Sequence, residues 1–126
     1  MPKVFSDEQE NKINLLESNY KKCYFLKKVS YELNLKNTKI INKTITKRNK
    51  LGKFDIITSR AFATIEKTIN LTKTNTHENT KYLLLKGKAS NIKKELKDID
   101  KNMFRYEIIN QDTTKERNIV LLCKDE

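Results

Sequence analysis

Apolar positions in the first third of the chain follow two different periods. Residues 12–17 (KINLLE) predict a short strand, and Ser18 after them is a residue type that caps the first turn of helices. Residues 38–42, with two adjacent isoleucines, predict a second strand. Between the strands, residues 19–34 place apolar side chains at the spacing of one helix face: Cys23, Leu26, Val29 and Leu33. This part of the chain therefore predicts a strand–helix–strand unit.

The middle of the chain repeats this alternation after a polar loop, residues 43–53, that closes with Gly52. Residues 54–59 (FDIITS) predict a third strand, and residues 81–86 (KYLLLK) a fourth that is buried on both faces. A polar loop is expected at residues 74–80. Residues 61–73 predict a helix whose inner face carries Phe62, Ile65, Ile69 and Thr72.

The last third predicts one helix and two strands. Gly87 breaks the fourth strand, and a helix follows that carries Ile92, Leu96 and Ile99. Residues 104–109 alternate between apolar and charged side chains, and residues 119–123 (IVLLC) are continuously apolar. The order predicts a single α/β domain over residues 1–126. Its sheet is expected to be mostly parallel, with right-handed crossovers and a C-terminal antiparallel hairpin at one edge.

Composition narrows the possible partners without deciding between them. The formal net charge of +11 favours a polyanion such as nucleic acid, but only four of the 27 basic residues are arginines. An AT-rich coding bias also raises lysine content, so charge alone leaves nucleic-acid contact open. Cys23 and Cys123 are expected to be buried free thiols, and His77 has no cluster that predicts a metal site. No apolar stretch approaches the roughly 20 residues that cross a bilayer, which indicates a cytoplasmic protein.

Candidate chemistry lies where the predicted parallel strands end, since ligands of open α/β sheets bind beyond those carboxyl ends. Glu17 ends the first strand, and a carboxylate there can accept hydrogen bonds from a ribose diol; a solvated strand-end carboxylate is the alternative. Arg60 follows the third strand and can bind a carboxylate or phosphate. Lys86 and Gly87 end the fourth strand, where Lys86 can contact an RNA phosphate and Gly87 can supply a left-handed turn. The residues leave these roles open.

Three stretches resemble one known family. They are INLLESNYKKCYFLKKVSYELNLKN, FDIITSRAFATIEK, and YLLLKGK with the closing KERNIVLLCK. The chain resembles the glucose-inhibited division protein B family of small-subunit rRNA guanine-N7 methyltransferases, from about Val4 to Lys124. The combination of TSRAFA with LKGK at this spacing is the most specific part of the resemblance.

The resemblance implies a Rossmann-like class I methyltransferase fold, S-adenosyl-L-methionine as methyl donor and small-subunit (16S) ribosomal RNA as partner. It implies that Glu17 meets the cofactor ribose, that Ile45 and Thr46 lie beside the adenine, and that Arg60 contacts the cofactor or shapes the active site. The family usually has an acidic residue where Thr46 stands. No metal and no membrane contact is implied, and no catalytic residue is assigned.

The family's first strand and glycine-rich loop are not recognisable, because the glycine-rich turn would fall before Met1, roughly 20 residues ahead of the ribose-binding carboxylate. We therefore expect the chain by itself to fold marginally and to bind the cofactor weakly or not at all. Two alternatives to an enzyme stay open: a catalytically inactive, basic RNA-binding remnant of the family, and a gene fragment with no independent function.

Overall fold

The structure is a computed structural model, and it describes residues 12–60, 63–110 and 116–124. These residues form six strands, three α-helices and a short 3₁₀ turn at Lys73–Asn75. The elements are β1 (Ile13–Glu17), α1 (Tyr20–Glu32), β2 (Thr38–Asn42), β3 (Phe54–Arg60), α2 (Ile65–Thr72), β4 (Thr76–Lys86), α3 (Ala89–Leu96), β5 (Phe104–Asn110) and β6 (Asn118–Lys124). They belong to two compact units that divide between Ile45 and Thr46. That the whole chain acts as one domain stays a prediction.

The first unit is the predicted strand–helix–strand, with β1 and β2 paired in parallel so that Glu17 lies opposite Asn42. The helix cap was assigned to the wrong residue. Asn19, not Ser18, caps α1, because its side-chain oxygen accepts the Lys22 backbone N–H at 3.0 Å. Asn is at least as good a cap as Ser, so residue type alone could not choose between two adjacent candidates. Cys23 is the buried residue of α1.

The second unit is a mixed four-stranded sheet in the order β3-β4-β6-β5. Strands β3 and β4 are parallel, and β6 pairs antiparallel with both β4 and β5. The predicted antiparallel pair at one edge is therefore confirmed, with β5 as the edge strand. Helices α2 and α3 supply apolar side chains to a core completed by the strands: Ile65, Tyr82, Leu84, Ile92, Leu96, Ile99, Phe104, Val120 and Leu122. Phe62, which the sequence also placed on the inner face of α2, lies outside the described residues.

The segment predicted as a loop at residues 74–80 is wrong from residue 76 onward, because β4 begins at Thr76. Thr80 is fully buried, and its hydroxyl donates to the Phe54 carbonyl at 2.6 Å while it accepts the His77 N–H at 2.8 Å. In the pairing of β3 with β4, the register shifts between Phe54 and Ile56. This irregularity accommodates the extra residues of β4 between Thr76 and Lys81. A polar run can enter a sheet when a threonine hydroxyl takes over backbone hydrogen bonds in this way. Cys123 also differs from expectation, since it is only half-buried.

Tyr82 is the largest buried side chain of the second unit, and its hydroxyl lies 2.7 Å from Thr72 Oγ1. Burial raises the pKa of Tyr82, with the Thr72 hydrogen bond acting in the opposite direction. A raised pKa means that the folded protein favours the neutral phenol. This contribution to stability is fully present below the ordinary tyrosine pKa of about 10, and it is lost as the pH rises through the folded-state value.

Replacing Tyr82 with Phe is expected to lower the free energy of unfolding by an amount that depends on pH. At pH 7 Tyr82→Phe lowers the free energy of unfolding by about 1 kcal/mol, the usual net worth of one hydrogen bond. At a pH of about 10.5 the deficit shrinks, because only the wild type must keep a buried phenol neutral. Urea unfolding at both pH values measures the difference, with Tyr106→Phe on the exposed face of β5 as control. A deficit that grows with pH would contradict the buried-phenol account.

Candidate functional site

The carboxyl end of β1 is held by two side chains of the first unit. The Asn42 side-chain amide donates to the Glu17 carbonyl at 3.0 Å and to the Ser18 carbonyl at 3.1 Å. The Cys23 thiol donates to the same Glu17 carbonyl at 3.0 Å, and Asn42 also donates to its sulfur at 3.3 Å. The backbone that carries Glu17 is thus fixed from the neighbouring strand and from α1. A fixed backbone lets the Glu17 side chain hold one position.

The Glu17 carboxylate has one oxygen engaged and one oxygen without a bond to any described residue. Oε2 accepts the Asn19 backbone N–H at 3.1 Å, and Asn19 in turn caps α1. The side chain is partly exposed at the end of its strand. A carboxylate in this position can accept hydrogen bonds from hydroxyl groups of a ligand, which is the chemistry that the sequence predicted for it.

Ile45 and Thr46 follow β2 at the junction between the two units. Ile45 is half-buried, and Thr46 is exposed. The Thr46 hydroxyl is engaged in a local turn, where it donates to Asn49 Oδ1 at 3.1 Å and accepts the Arg48 N–H at 3.3 Å. The Asn49 carbonyl accepts bonds from Thr74 and Asn75, just before β4 begins. This anchors the Thr46 turn near the amino end of β4, so the structure does not bring Thr46 next to Arg60.

Arg60 is the last residue of β3, at the carboxyl end of the parallel pair, and it lies opposite Leu85 in β4. It is exposed, and within the part of the chain that the structure describes no acidic side chain pairs with its guanidinium. The arginine therefore stands where the sequence placed it, with a charge available to an anionic ligand. That an anionic ligand binds the Arg60 guanidinium stays a prediction.

Lys86 ends β4, but its side chain points into the protein. It is 8% exposed; its ammonium lies 3.0 Å from Glu95 Oε1 and donates to the Ala63 carbonyl at 2.5 Å. The same Glu95 oxygen accepts the Ile65 N–H at 2.9 Å. Lys86 and Glu95 together hold the start of α2, which follows Arg60 along the chain. The sequence predicts that Lys86 contacts RNA. Its observed placement instead favours a role in positioning the start of α2, because its ammonium group already has protein partners.

The turn after β4 is held by an asparagine rather than by a special glycine conformation. The predicted left-handed turn at Gly87 is wrong, since among the described glycines only Gly52 has a positive φ. The Gly87 carbonyl accepts the side-chain N–H of buried Asn118 at 2.8 Å, and Asn118 accepts from Asn110 at 3.2 Å. Gly87 borders a cleft of about 330 Å³ at this end of the sheet, with Thr64, Lys88 and Asn91 also on its wall.

His77 lies at the opposite edge of the second unit, where β4 begins. Its Nδ1 accepts the Asn79 N–H at 3.0 Å, so Nε2 carries the proton and donates to Asp55 at 2.7 Å. Nowhere in the described residues do three His, Cys, Asp or Glu side chains converge as a metal site would require. The helices among residues 12–60, 63–110 and 116–124 are too short and polar to span a bilayer.

Three of the residues that build these strand ends were not predicted. Asn42 could have been found, because a polar residue ending the strand parallel to β1 faces Glu17 in register. Glu95 and Asn118 gave no such signal, since an acidic residue on a helix and an asparagine before a strand are ordinary surface features. Their roles depend on contacts 30 and 31 residues away along the chain.

Comparison with solved structures shows a methyltransferase-type fold. An rRNA methylase from Streptococcus thermophilus aligns with a TM-score of 0.67 at 9% identity, over 91% of this chain and 74% of that one. A putative methyltransferase from Streptococcus mutans, solved in complex with SAH, aligns with a TM-score of 0.65 at 13% identity, over 90% of this chain and 76% of that one. At such identities the likeness concerns the fold, which confirms the predicted class I methyltransferase α/β architecture.

Sequence comparison adds the family. A ribosomal RNA small subunit methyltransferase G of Brachyspira hyodysenteriae is 35% identical over 122 residues, which are 94% of this chain and 57% of that protein. The chain spans about half the length of the curated relatives it matches. Residues 5–120 match the family described as rRNA small subunit methyltransferase G. The chain belongs to this family.

Proposed function

We propose that this chain carries cofactor contacts of a methyltransferase that transfers a methyl group from S-adenosyl-L-methionine to guanine N7 of small-subunit (16S) ribosomal RNA. The observation that carries the proposal is the family match over residues 5–120. The position of Glu17 and Arg60 at carboxyl ends of parallel strands supports it, since ligands of open α/β sheets bind there. Such a protein works in the cytoplasm, where ribosomal RNA is found.

Glu17 fits the cofactor best among the residues of the first unit. Its carboxylate has one oxygen tied to Asn19 and one with no described partner, on a backbone fixed by Asn42 and Cys23. Two ribose hydroxyls are donors of the kind such a carboxylate accepts. When bound, S-adenosyl-L-methionine supplies an electrophilic methyl group on a positively charged sulfur. The proposed role of Glu17 is to hold the ribose and so orient that group.

The other proposed contacts follow from the family resemblance. The half-buried Ile45 offers an apolar surface to an adenine ring. Thr46 already uses its hydroxyl and its main-chain N–H and carbonyl within its own turn, so its contact with adenine is through van der Waals packing. Arg60 offers a guanidinium to a carboxylate, such as that of a bound amino-acid moiety. Glu17 and Arg60 belong to different units, so the role proposed for each residue is supported only by its position within its own unit.

Transfer to guanine N7 makes small demands on catalytic side chains. N7 carries a lone pair at neutral pH and lies on the major-groove edge of the base, so it can accept a methyl group without losing a proton. No general base is therefore required, and His77, engaged at the opposite edge of its sheet, has no part in the proposal. The protein's contribution is proximity and orientation of the two reactants.

Arg60→Ala is expected to weaken binding of S-adenosyl-L-methionine about fivefold. The effect is modest because an exposed ion pair contributes up to about 1 kcal/mol. Isothermal titration calorimetry on the two proteins measures it, and Lys53→Ala, before the opposite end of β3, is the matched control. Equal affinities of wild type and Arg60→Ala would remove Arg60 from the cofactor site. Binding at all separates the enzyme from the alternative of an inactive RNA-binding remnant.

A further inference from the structure

Helix α1 exposes an unusual number of aromatic side chains. Tyr20, Tyr24 and Tyr31 are 74%, 66% and 86% exposed, and Phe25 is 63% exposed. Three of the five tyrosines in the chain therefore stand on one 13-residue helix with their rings in solvent. Large aromatic side chains are usually at least partly buried, so this concentration indicates a binding surface rather than a random exposure.

The tyrosines share one side of the helix. Tyr20 and Tyr24 are four residues apart, and Tyr31 follows Lys27 by four and Lys28 by three, spacings that place side chains in a row. The half-buried Leu26 and Val29 lie on the opposite side of the helix, and the buried Cys23 lies at the border between the two sides. We call the exposed row, formed by Tyr20, Tyr24, Lys27, Lys28 and Tyr31, the tyrosine–lysine stripe.

The charge around the tyrosine–lysine stripe is positive. The helix carries four lysines, at positions 21, 22, 27 and 28, and one acidic residue, Glu32. An open cleft of about 690 Å³ lies beside its carboxyl end, with Lys27 and Tyr31 on its wall together with Lys36. Aromatic rings interleaved with cations, next to a groove with the same two residue types, match the chemistry of single-stranded nucleic acid: bases stack on rings and phosphates meet ammonium groups.

We propose that the tyrosine–lysine stripe binds single-stranded RNA, a role that rests on the proposed function because it delivers or holds the RNA substrate. Paired RNA fits less well, since a helix does not enter the narrow major groove of an A-form duplex and its bases offer no free faces to the rings. A membrane surface fits less well too. Membrane-surface helices present aliphatic or aromatic apolar faces, whereas this row consists of tyrosines and lysines.

The first test measures stacking. A fluorescently labelled, unstructured 12-nucleotide RNA is titrated with the full chain, without cofactor, and binding is followed by anisotropy. Tyr24→Ala and Tyr31→Ala each weaken binding about fivefold or more, because stacking of one base contributes about 1 kcal/mol or more. Tyr24→Phe and Tyr31→Phe keep wild-type affinity, since the ring is retained. Tyr106→Ala, which removes a partly exposed tyrosine from β5, also leaves affinity unchanged.

The second test measures charge. Lys27→Gln/Lys28→Gln reduces the slope of log affinity against log salt concentration by about 1.4, the value for two phosphate contacts with a single strand. Lys53→Gln/Lys73→Gln is the control, because those lysines lie in another basic cluster, where burial and then their charges lower the pKa of Lys124. This control variant lowers RNA affinity less than Lys27→Gln/Lys28→Gln does. In its background, Tyr24→Ala and Tyr31→Ala still weaken RNA binding as they do in the wild type.

Three results overturn the proposal. Absence of RNA binding by the folded chain is the first, and equal losses for the stripe and control variants are the second. The third is that Tyr24→Ala changes self-association in sedimentation, or binding to vesicles containing anionic lipid, without changing RNA affinity. Circular dichroism of each variant separates these results from unfolding. The RNA titrations contain no cofactor, so they test the tyrosine–lysine stripe independently of the cofactor contacts. Either proposal can therefore be refuted without affecting the other.

Discussion

Glu17→Gln is expected to weaken binding of S-adenosyl-L-methionine roughly 10- to 100-fold in calorimetric titration. The amide keeps the size of the side chain, and its oxygen can still accept the Asn19 N–H that Glu17 Oε2 accepts now. What is lost is the charge, and a hydrogen bond to a charged group contributes about 1.5–3 kcal/mol. The change thus removes the proposed ribose contact while leaving the end of β1 in place.

The matched control for this prediction is Glu32→Gln, which removes a carboxylate from the exposed end of α1 in the same unit. It is expected to leave cofactor affinity unchanged, so that loss of one negative charge from a basic chain is separated from loss of a contact. Equal weakening by both variants would show an effect of net charge. No weakening by Glu17→Gln would assign Glu17 to the structural role of tying down Asn19.

Lys86→Ala has the largest expected effect on stability, a loss of about 3 kcal/mol in the free energy of unfolding. The Lys86 side chain is 8% exposed and that of Glu95 22%, so the pair is largely shielded from water. Removing one partner of a buried ion pair costs about 3–5 kcal/mol, since the other charge is left uncompensated. The lower figure applies because Glu95 keeps the Ile65 N–H as a donor.

Chemical denaturation measures this loss, and Lys88→Ala, an exposed lysine two residues along the same turn, is the control with an expected change of less than about 0.5 kcal/mol. The double variant Lys86→Met/Glu95→Gln should recover part of the stability, since neither side chain then carries a charge. A loss below about 1 kcal/mol for Lys86→Ala would show that the cation has an outward alternative. The RNA contact expected from the sequence would then be favoured again.

The sequence predicted most of the fold because each strand and helix carries its own period. The alternation in residues 104–109 and the apolar run in residues 119–123 both appear as strands of one antiparallel pair. The wrong prediction at the start of β4 has a physical cause. Thr80 looks like a loop residue by type, and it enters β4 because its hydroxyl takes over hydrogen bonds with Phe54 and His77. The sequence does not reveal the Phe54 contact, because its two partners are 26 residues apart along the chain.

The candidate site was predictable as a location but only partly as chemistry. Glu17 and Arg60 end parallel strands as expected, because strand ends follow from apolar runs. Lys86 also ends its strand as expected, yet its side chain turns inward toward Glu95, and that direction is decided by a helix formed later in the chain. Residue type and strand position therefore identify candidate residues, whereas the partners decide whether they face a ligand.

The most direct test of the cofactor contacts is ligand-observed NMR of S-adenosyl-L-methionine with the full chain, because saturation transfer also detects weak binding. We expect transfer to the ribose protons that is displaced by S-adenosylhomocysteine, unaffected by ATP and greatly reduced in Glu17→Gln. The proposed contact between Glu17 and the cofactor ribose would be contradicted by either of two results for a chain that is folded by circular dichroism. One is no saturation transfer, and the other is equal transfer in the wild type and Glu17→Gln.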